Sequence, residues 1–505
     1  MNLVKLGAER IEKFGEIVSI VFEDEEYTNT RINEMDCRLG AGLKSLGIGR
    51  GDHVVVSLPN LPEVFVCFQA IWRIGAVIVP IMFLLGDNET RYILNHSDAK
   101  AVITSQDLLY KIENARQGID HIKNVLVIGG EDQGDCLDFY GLIDRSPPDE
   151  SIEEMDENDV ALMIYTSGTT GQPKGVMLSH NNLYQNAIAA WEVNELEKGG
   201  TIVLLCLPLA HSFGVVVMNA GNVSPFKEGF YVLMRWFDPE EVFRLIEKYR
   251  VTRFIGVPTM FQMLLNHPAG EKYDLSSLER CTISAAPVTE ELHRAFTSKF
   301  NCSMYEGYGL TEASPAVAVC RPSMPRKKGS TGVPIPGVEV KIFDQEDREV
   351  PAGEQGEIVV RGPNVMVGYY KRPEETRETL RGGWLHTGDV GYLDEEGYLY
   401  ITDRIKDMVI KGGYNIYPSE IEGYLEEHPA VAEVSVIGIP DEKYGEAIMV
   451  FVVGMPGTEL TEEDVIQYAN SKMTPFKAPS RVKFVDALPK SLVGKVLKKE
   501  LRKLV

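Results

Sequence analysis

The sequence predicts an α/β protein. A large N-terminal domain is built of parallel-sheet α/β subdomains and a small barrel-like β subdomain, and a small α+β domain follows. Three observations predict this. Over the first 310 residues, short apolar runs alternate with helix-length amphipathic segments, the pattern of βαβ units around a mostly parallel sheet. Residues 329–402 then change character, with short strands and frequent turn residues such as Pro334, Pro336, Gly337, Gly353, Gly356 and Gly362, which reads as an antiparallel, barrel-like unit. Beyond them lies a segment of ~100 residues, a usual domain size. The expected division is residues 1–403 and 404–505.

The elements follow in order. Val54–Leu58, Ala76–Val79 and Ala101–Thr104 are short, largely apolar runs of strand length, as buried parallel strands require. Val160–Ile164, Thr201–Leu207 and Arg253–Val257 repeat the pattern, with a helix expected over Glu240–Tyr249. The most apolar stretch, Cys67–Leu85, contains Arg73, Gly75 and Pro80. It reads as a helix followed by a strand rather than a membrane span. Toward the C-terminal end, Pro418–Glu426 places Ile421 and Leu425 on one helical face, and Val431–Ile439 reads as a strand. Thr461-Glu-Glu-Asp464 is a capping box for another helix.

Composition bounds the partners. A chain of 505 residues exceeds one ordinary core, so two or more domains are expected. A net charge of −23 disfavours nucleic acid, but an anion site depends on local donors and remains open. The charge is uneven: from Lys472 onward ten Lys and Arg face two acids. That tail carries +8, the rest −31. It reads as a solvated face or as a lid over anionic ligands. Seven cysteines lie far apart without a Cys-x-x-Cys pair, the usage of a reducing, cytoplasmic compartment. Neither a signal peptide nor a peroxisomal Ser-Lys-Leu end is recognisable.

The most informative segment follows the Val160–Ile164 run. It contains Thr166, Ser167, Gly168, Thr169, Thr170, Gly171 and Lys174. Glycines let backbone N–H groups close on an anion. Hydroxyls and an ammonium add donors to phosphate oxygens. The expected occupant is a polyphosphate. The order differs from the common P-loop, because Gly175 rather than Ser or Thr follows the lysine.

This loop closely resembles the phosphate loop of the adenylate-forming enzymes, which include acyl-CoA synthetases, peptide-synthetase adenylation domains and luciferase. Further motifs extend the resemblance over roughly residues 20–500. In Glu306-Gly-Tyr-Gly-Leu-Thr-Glu312, Gly307 and Gly309 would let backbone lie against a flat ligand, and Tyr308 would stack on a purine. Glu312 would suit Mg²⁺, which takes oxygen ligands from carboxylate and phosphate. The resemblance implies that Thr311 and Glu312 face ATP phosphate and Mg²⁺, and that Tyr308 stacks on adenine. Ala285, Ala286 and Pro287 match the stretch lining the adenine and acyl side. Asp389 and Arg404 match the ribose-binding pair. Lys406 falls at the hinge about which the C-terminal domain pivots. Lys495 matches the lysine that grips the carboxylate and α-phosphate during adenylation. Gly412 and Gly413 would line a narrow tunnel for the pantetheine arm of CoA. His211 matches a histidine between acyl pocket and thiol entry.

The resemblance thus implies an AMP-forming acyl-CoA ligase using ATP, Mg²⁺ and coenzyme A, with a homodimer as a further expectation. The alternative is an adenylation enzyme that loads a carrier protein. Amino-acid-activating relatives hold the substrate ammonium with an acid near His211, but no acid occurs from Cys206 to Pro225. The candidate pocket residues (Ser212, Phe213, Val257 and Pro258 with those above) are mostly small or apolar. The expected small-molecule partner is therefore an apolar carboxylic acid, whether fatty, cyclic or aromatic.

Overall fold

In the computed structural model, two large sheets organise the N-terminal part. The structure describes residues 2–166, 172–195, 200–412, 414–474, 476–490 and 496–505, with Asn415 described by its backbone alone. By internal packing the chain divides into two compact units, Met1–Val340 with Val360–Leu385, and Lys341–Val359 with His386–Val505.

In the first unit, one sheet runs from edge to edge Gly368–Tyr369, Lys174–Ser179, Val160–Thr166, Val77–Pro80, His53–Ser57, Ala101–Ser105, Asn124–Ile128 and Cys136–Asp138. Its central pairs are parallel, as the largely apolar runs predict. The Val160–Thr166 strand instead turns back antiparallel onto Lys174–Ser179, with Thr166 opposite Lys174. That hairpin holds the ends of the glycine-rich loop. The second sheet is ordered Val333–Pro334, Ala316–Val319, Ser303–Gly309, Arg280–Ile283, Arg253–Gly256, Thr201–Leu205, Gly229–Leu233, Val18–Phe22 and Glu25–Thr28. It is parallel in the middle and antiparallel at both edges.

Local chemistry explains the helices that cover these sheets. Pro239–Tyr249 starts at Asp238, whose side chain accepts from the Glu241 N–H at 2.8 Å, and continues with proline at its first position. An Asp cap and an N1 proline are both favoured there. Its buried residues Val242, Phe243, Leu245 and Ile246 join a chain of rings in which Phe261–Phe296 and Phe296–Phe300 centroids lie 4.9 and 4.5 Å apart. Pro62–Arg73 is buried at every residue but Gln69. Its Trp72 donates Nε1–H to the Ala161 carbonyl at 2.9 Å, tying the helix to the strand that leads into the phosphate-type loop.

In the second unit a four-stranded sheet, Glu339–Phe343, Gly356–Arg361, Leu385–Leu393 and Leu399–Arg404, fills most of the region expected to be barrel-like. Val333–Pro334 joins the large sheet instead. Beyond it, Val431–Asp441 and Gly445–Gly454 form a long antiparallel pair. Pro418–Glu426 buries Ile421 and Leu425 as its spacing predicts. Thr461 and Asp464 form the expected capping box. No helix among the described residues is long and apolar enough to cross a membrane.

Trp72→Ala should destabilise the protein by about 3–5 kcal/mol, the usual cost of removing a large buried aromatic. Urea unfolding followed by tryptophan fluorescence and circular dichroism checks this.

Candidate active site

Each unit carries its own cluster of expected site residues. In the first, Thr166 ends a strand and Lys174 begins the next. Ser167, Gly168, Thr169, Thr170 and Gly171 lie outside the described residues. Lys174 is 16% exposed, forms an ion pair with Glu375, and stands 4.9 Å from the centre of the Tyr369 ring. The hydrogen bond from Lys174 holds the Glu375 carboxyl below its ordinary range. Tyr369 in turn donates its hydroxyl to Glu312 Oε1 at 2.9 Å. Burial and then the Glu312 charge push its phenol far up, so it stays protonated and a donor. Lys174, Tyr369, Glu312 and Glu375 are therefore one connected set, drawn from sequence positions ~200 apart.

Helix His180–Glu192 ties the hairpin to the Glu312 turn. Ser179 caps it: Ser179 Oγ accepts from the Asn182 N–H, and Asn182 Oδ1 accepts from the Ser179 N–H at 2.8 Å. The Asn182 amide also donates to the Pro363 and Val365 carbonyls at 2.7 and 2.9 Å. One turn on, buried Asn186 donates to Ala316 O at 2.9 Å and to Ala313 O at 3.3 Å. Buried Asn364 donates to the same two carbonyls at 2.9 Å each, while its own carbonyl accepts from Ser314 Oγ at 2.7 Å. The turn carrying Thr311 and Glu312 is thereby held from both sides. Thr311 Oγ1 also lies 3.3 Å from buried Ser212 Oγ.

Gly307, Tyr308 and Gly309 sit at the end of strand Ser303–Gly309. A Cβ at Gly309 would lie 2.4 Å from the Pro315 carbonyl oxygen, so only glycine fits. Ser284 Oγ donates to the Gly307 carbonyl at 2.7 Å, joining that strand end to Ala285, Ala286 and Pro287. Ala285 has φ of +77°. An alanine held in the left-handed region costs about 1–2 kcal/mol, and such strain concentrates at functional sites.

His211 precedes helix Ser212–Asn222. Its Nδ1 accepts from the Phe213 N–H at 3.2 Å, which leaves the proton of the neutral ring on Nε2. Burial pulls its pKa down to about 4. It is a neutral donor at neutral pH.

In the second unit, Asp389 and Arg404 are register partners on adjacent antiparallel strands. Arg404 Nε stands 2.8 Å from Asp389 Oδ1. Asp389 is 5% exposed against 37% for Arg404. Glu357 fixes the approach to Asp389, accepting from the Gly388 N–H at 3.0 Å and lying 2.7 Å from His386 Nδ1. Lys406 is exposed on the short 3-10 turn Ile405–Asp407. Gly412 has φ of +57° and donates its N–H to the Tyr444 carbonyl at 2.7 Å. Gly413 and Lys495 lie outside the described residues. The residues flanking the Lys495 loop, Lys490 and Val496, pair as an antiparallel bridge.

Tyr369, Glu375, Asn182, Asn186 and Asn364 are not foreseen from the sequence. The asparagines had a signal: Asn182 and Asn186 fall at i and i+4 on a helix whose same face carries Leu183, and buried polar groups require partners. Tyr369 and Glu375 had none beyond a helix start at Pro373.

Similarity to known proteins defines the family. The model of the AMP-binding enzyme family matches residues 8–370, and that of the AMP-binding enzyme C-terminal domain matches residues 420–495. The chain is 36% identical to a long-chain-fatty-acid–CoA ligase of Bacillus subtilis (strain 168), covering 97% of this chain and 92% of that one. It is 37% identical to a feruloyl-CoA synthase of Amycolatopsis, covering 94% and 93%. Its fold is similar to that of ATP-bound MatB from Rhodopseudomonas palustris, with a TM-score of 0.90, 30% identity and coverage of 100% and 99%. The chain belongs to the AMP-binding enzyme family. It is an ATP-dependent, AMP-forming ligase of the adenylate-forming superfamily.

The lowered histidine pKa has a pH consequence. His211 titrates near 6.5 when unfolded and about 4 when folded. Buried His180, whose Nδ1 accepts from the Leu3 N–H, falls from 6.5 to about 3. Between those values the unfolded chain binds more protons. The stability from the neutral rings is complete above pH 6.5 and is lost as pH falls toward 4 and 3, at about 1.4 kcal/mol per pH unit for each ring. His211→Asn keeps a capping acceptor and should flatten the fall in urea-unfolding free energy between pH 7 and 5. An unchanged slope would refute the His211 contribution.

Proposed function

We propose that this chain is an acyl-CoA ligase for an apolar carboxylic acid, whether fatty, cyclic or aromatic. It converts the acid and ATP to an acyl adenylate and pyrophosphate, then passes the acyl group to the CoA thiol with release of AMP. One observation carries the acid's chemistry: Cys206–Pro225 contains no Asp, Glu, Lys or Arg, and its one histidine is held neutral. A charged substrate tail would find no counter-ion there, and an unpaired buried charge is costly. The names of the relatives, which ligate fatty and feruloyl groups to CoA, support the same reading.

The chemistry is positioning plus charge neutralisation. A carboxylate attacking the α-phosphorus meets like charge, which Lys495 offsets by contacting both groups. The 166–174 loop and Lys174 hold the outer phosphates, with Thr311 as a further hydroxyl donor. Glu312 would hold Mg²⁺ through its carboxylate, and the ion when bound would supply positive charge against the phosphates. Asp389 and Arg404 take the ribose, while Tyr308 and the Ala285–Pro287 turn take adenine. In the second step the C-terminal domain, residues 404–505, pivots at Lys406. That withdraws Lys495 and brings Gly412 and Gly413 to the pantetheine arm. His211 Nε2–H faces the acyl end. Water is excluded in both states, because acyl adenylates hydrolyse.

Pyrophosphate release across a panel of carboxylic acids, with ATP and Mg²⁺, should be acid-dependent and sustained only with CoA. A single turnover regardless of CoA would instead favour a carrier-protein acceptor. Lys495→Ala should cut adenylate formation by ~10²–10³-fold, the scale of losing one key charge-stabilising donor, yet spare thioester formation from a supplied acyl adenylate. Equal loss in both steps would sink the pivot.

A further inference from the structure

The set linking Lys174 to Glu312 has Tyr369 at its centre. One residue presents its ring to the ammonium, 4.9 Å from the centroid, and its hydroxyl to the carboxylate at 2.9 Å. Its own place is fixed. Tyr369 is a register partner of Val176, two residues beyond Lys174, and Gly368 pairs with Met177. The Tyr369 N–H donates to Thr376 Oγ1 at 2.9 Å, and Thr376 Oγ1 donates to the Arg372 carbonyl at 2.8 Å. The side chain is 7% exposed, so few rotamers are open to it. The Met366 N–H adds a bond to the Glu312 carbonyl at 2.9 Å. The segment 366–369 therefore grips the Glu312 residue through both its backbone and its side chain.

The two ends of this link differ chemically. A hydroxyl donating to one carboxylate oxygen leaves the other oxygen available and fixes the plane in which the group offers it. Groups that hydrogen-bond a metal-ligating carboxylate set its orientation in this way. A ring beneath an ammonium attracts it without taking up its N–H donors; Glu375 engages one of the three on Lys174, and the ring leaves the other two for phosphate.

We propose that Tyr369 is a positioning residue for adenylation, its hydroxyl orienting Glu312 toward Mg²⁺ and its ring orienting Lys174 toward the ATP phosphates. This rests on the roles given to Glu312 and Lys174 under Proposed function. It adds that the magnesium and phosphate contacts are coupled through one side chain.

The test uses the full chain and two variants. Tyr369→Phe keeps ring, size and burial and removes only the donor. Tyr369→Leu removes both. Acid-dependent pyrophosphate release is measured against free Mg²⁺ at saturating ATP, and against MgATP at saturating Mg²⁺, with thermal midpoints alongside. For Tyr369→Phe, the half-saturating Mg²⁺ concentration should rise about 10-fold, the lower end for losing such an orienting partner. The KM for MgATP at saturating Mg²⁺ should stay near the parent value. Tyr369→Leu should show the same Mg²⁺ shift and, in addition, a several-fold higher KM for MgATP. An unchanged Mg²⁺ profile in Tyr369→Phe overturns the proposal. So does a uniform loss of kcat with no Mg²⁺ shift, which is what a merely structural role predicts. Glu312→Gln is run in parallel. If it too leaves the Mg²⁺ profile unchanged, the assignment of Glu312 is what has failed, and the inference falls with it.

Discussion

The hold on the Ala313–Ala316 carbonyls is the constraint on which the site in the first unit depends. Asn186 and Asn364, far apart in sequence and both buried, donate to the same two backbone oxygens. The turn that presents Thr311 and Glu312 interrupts the sheet between Gly309 and Ala316, and unsatisfied buried carbonyls there are costly. Two amides answer that need and fix the turn's position. Because Asn186 shares its helix with Asn182, and Asn182 completes the cap at Ser179, the same helix sets the hairpin strand that begins at Lys174. Two separate requirements, capping a helix and pairing turn carbonyls, thus place an ammonium and a carboxylate within one connected group.

That connection resolves an electrostatic problem. A chain with net charge −23 is a poor environment for a polyphosphate at long range, but salt screens charges beyond about 8–10 Å. What matters is the local supply of donors. The first unit provides Lys174, and its acids Glu375 and Glu312 are each already engaged, one by an ammonium and one by a phenol. In the second unit, Asp389 is nearly buried yet bonded by Arg404. A nearly buried carboxylate needs such a partner, because an unpaired buried charge is costly.

Much of this was legible in the sequence, and the limits have physical causes. Apolar runs such as Val54–Leu58 and Ala101–Thr104 became parallel strands at nearly the expected residues, because a strand buried on both faces must be apolar throughout. The helix over Glu240–Tyr249 and the Thr461 capping box were also legible, and both helices begin at a local side-chain cap. The region 329–402 was harder. Its short strands and turns gave composition but no partners, and Val333–Pro334 pairs with the large sheet, a contact that no local signal announces. The same limit applies to the site. Glycines and hydroxyls betray a phosphate loop by crowding together, whereas Tyr369 and Glu375 reach Lys174 only through strand pairing across some two hundred positions. Only Asn182 and Asn186, polar on a buried helical face, advertised a supporting role.

The acyl side poses a different constraint. Under the proposed function, with no ionic side chain between Cys206 and Pro225 and with His211 neutral, an acid's tail would meet shape and apolar contact rather than charge. One methylene more or less in such a pocket is worth only about 1–3 kcal/mol. Selectivity built this way grades neighbouring chain lengths or ring sizes instead of rejecting them outright. A charged tail is different, because it would lose its hydration without gaining a partner. Such a site would be sharp against charge and graded in size. The precision of the first unit lies around Glu312, where Asn186 and Asn364 hold the turn carbonyls, Ser284 holds the Gly307 carbonyl, Tyr369 bonds the Glu312 carboxylate, and Gly309 leaves no room for a Cβ.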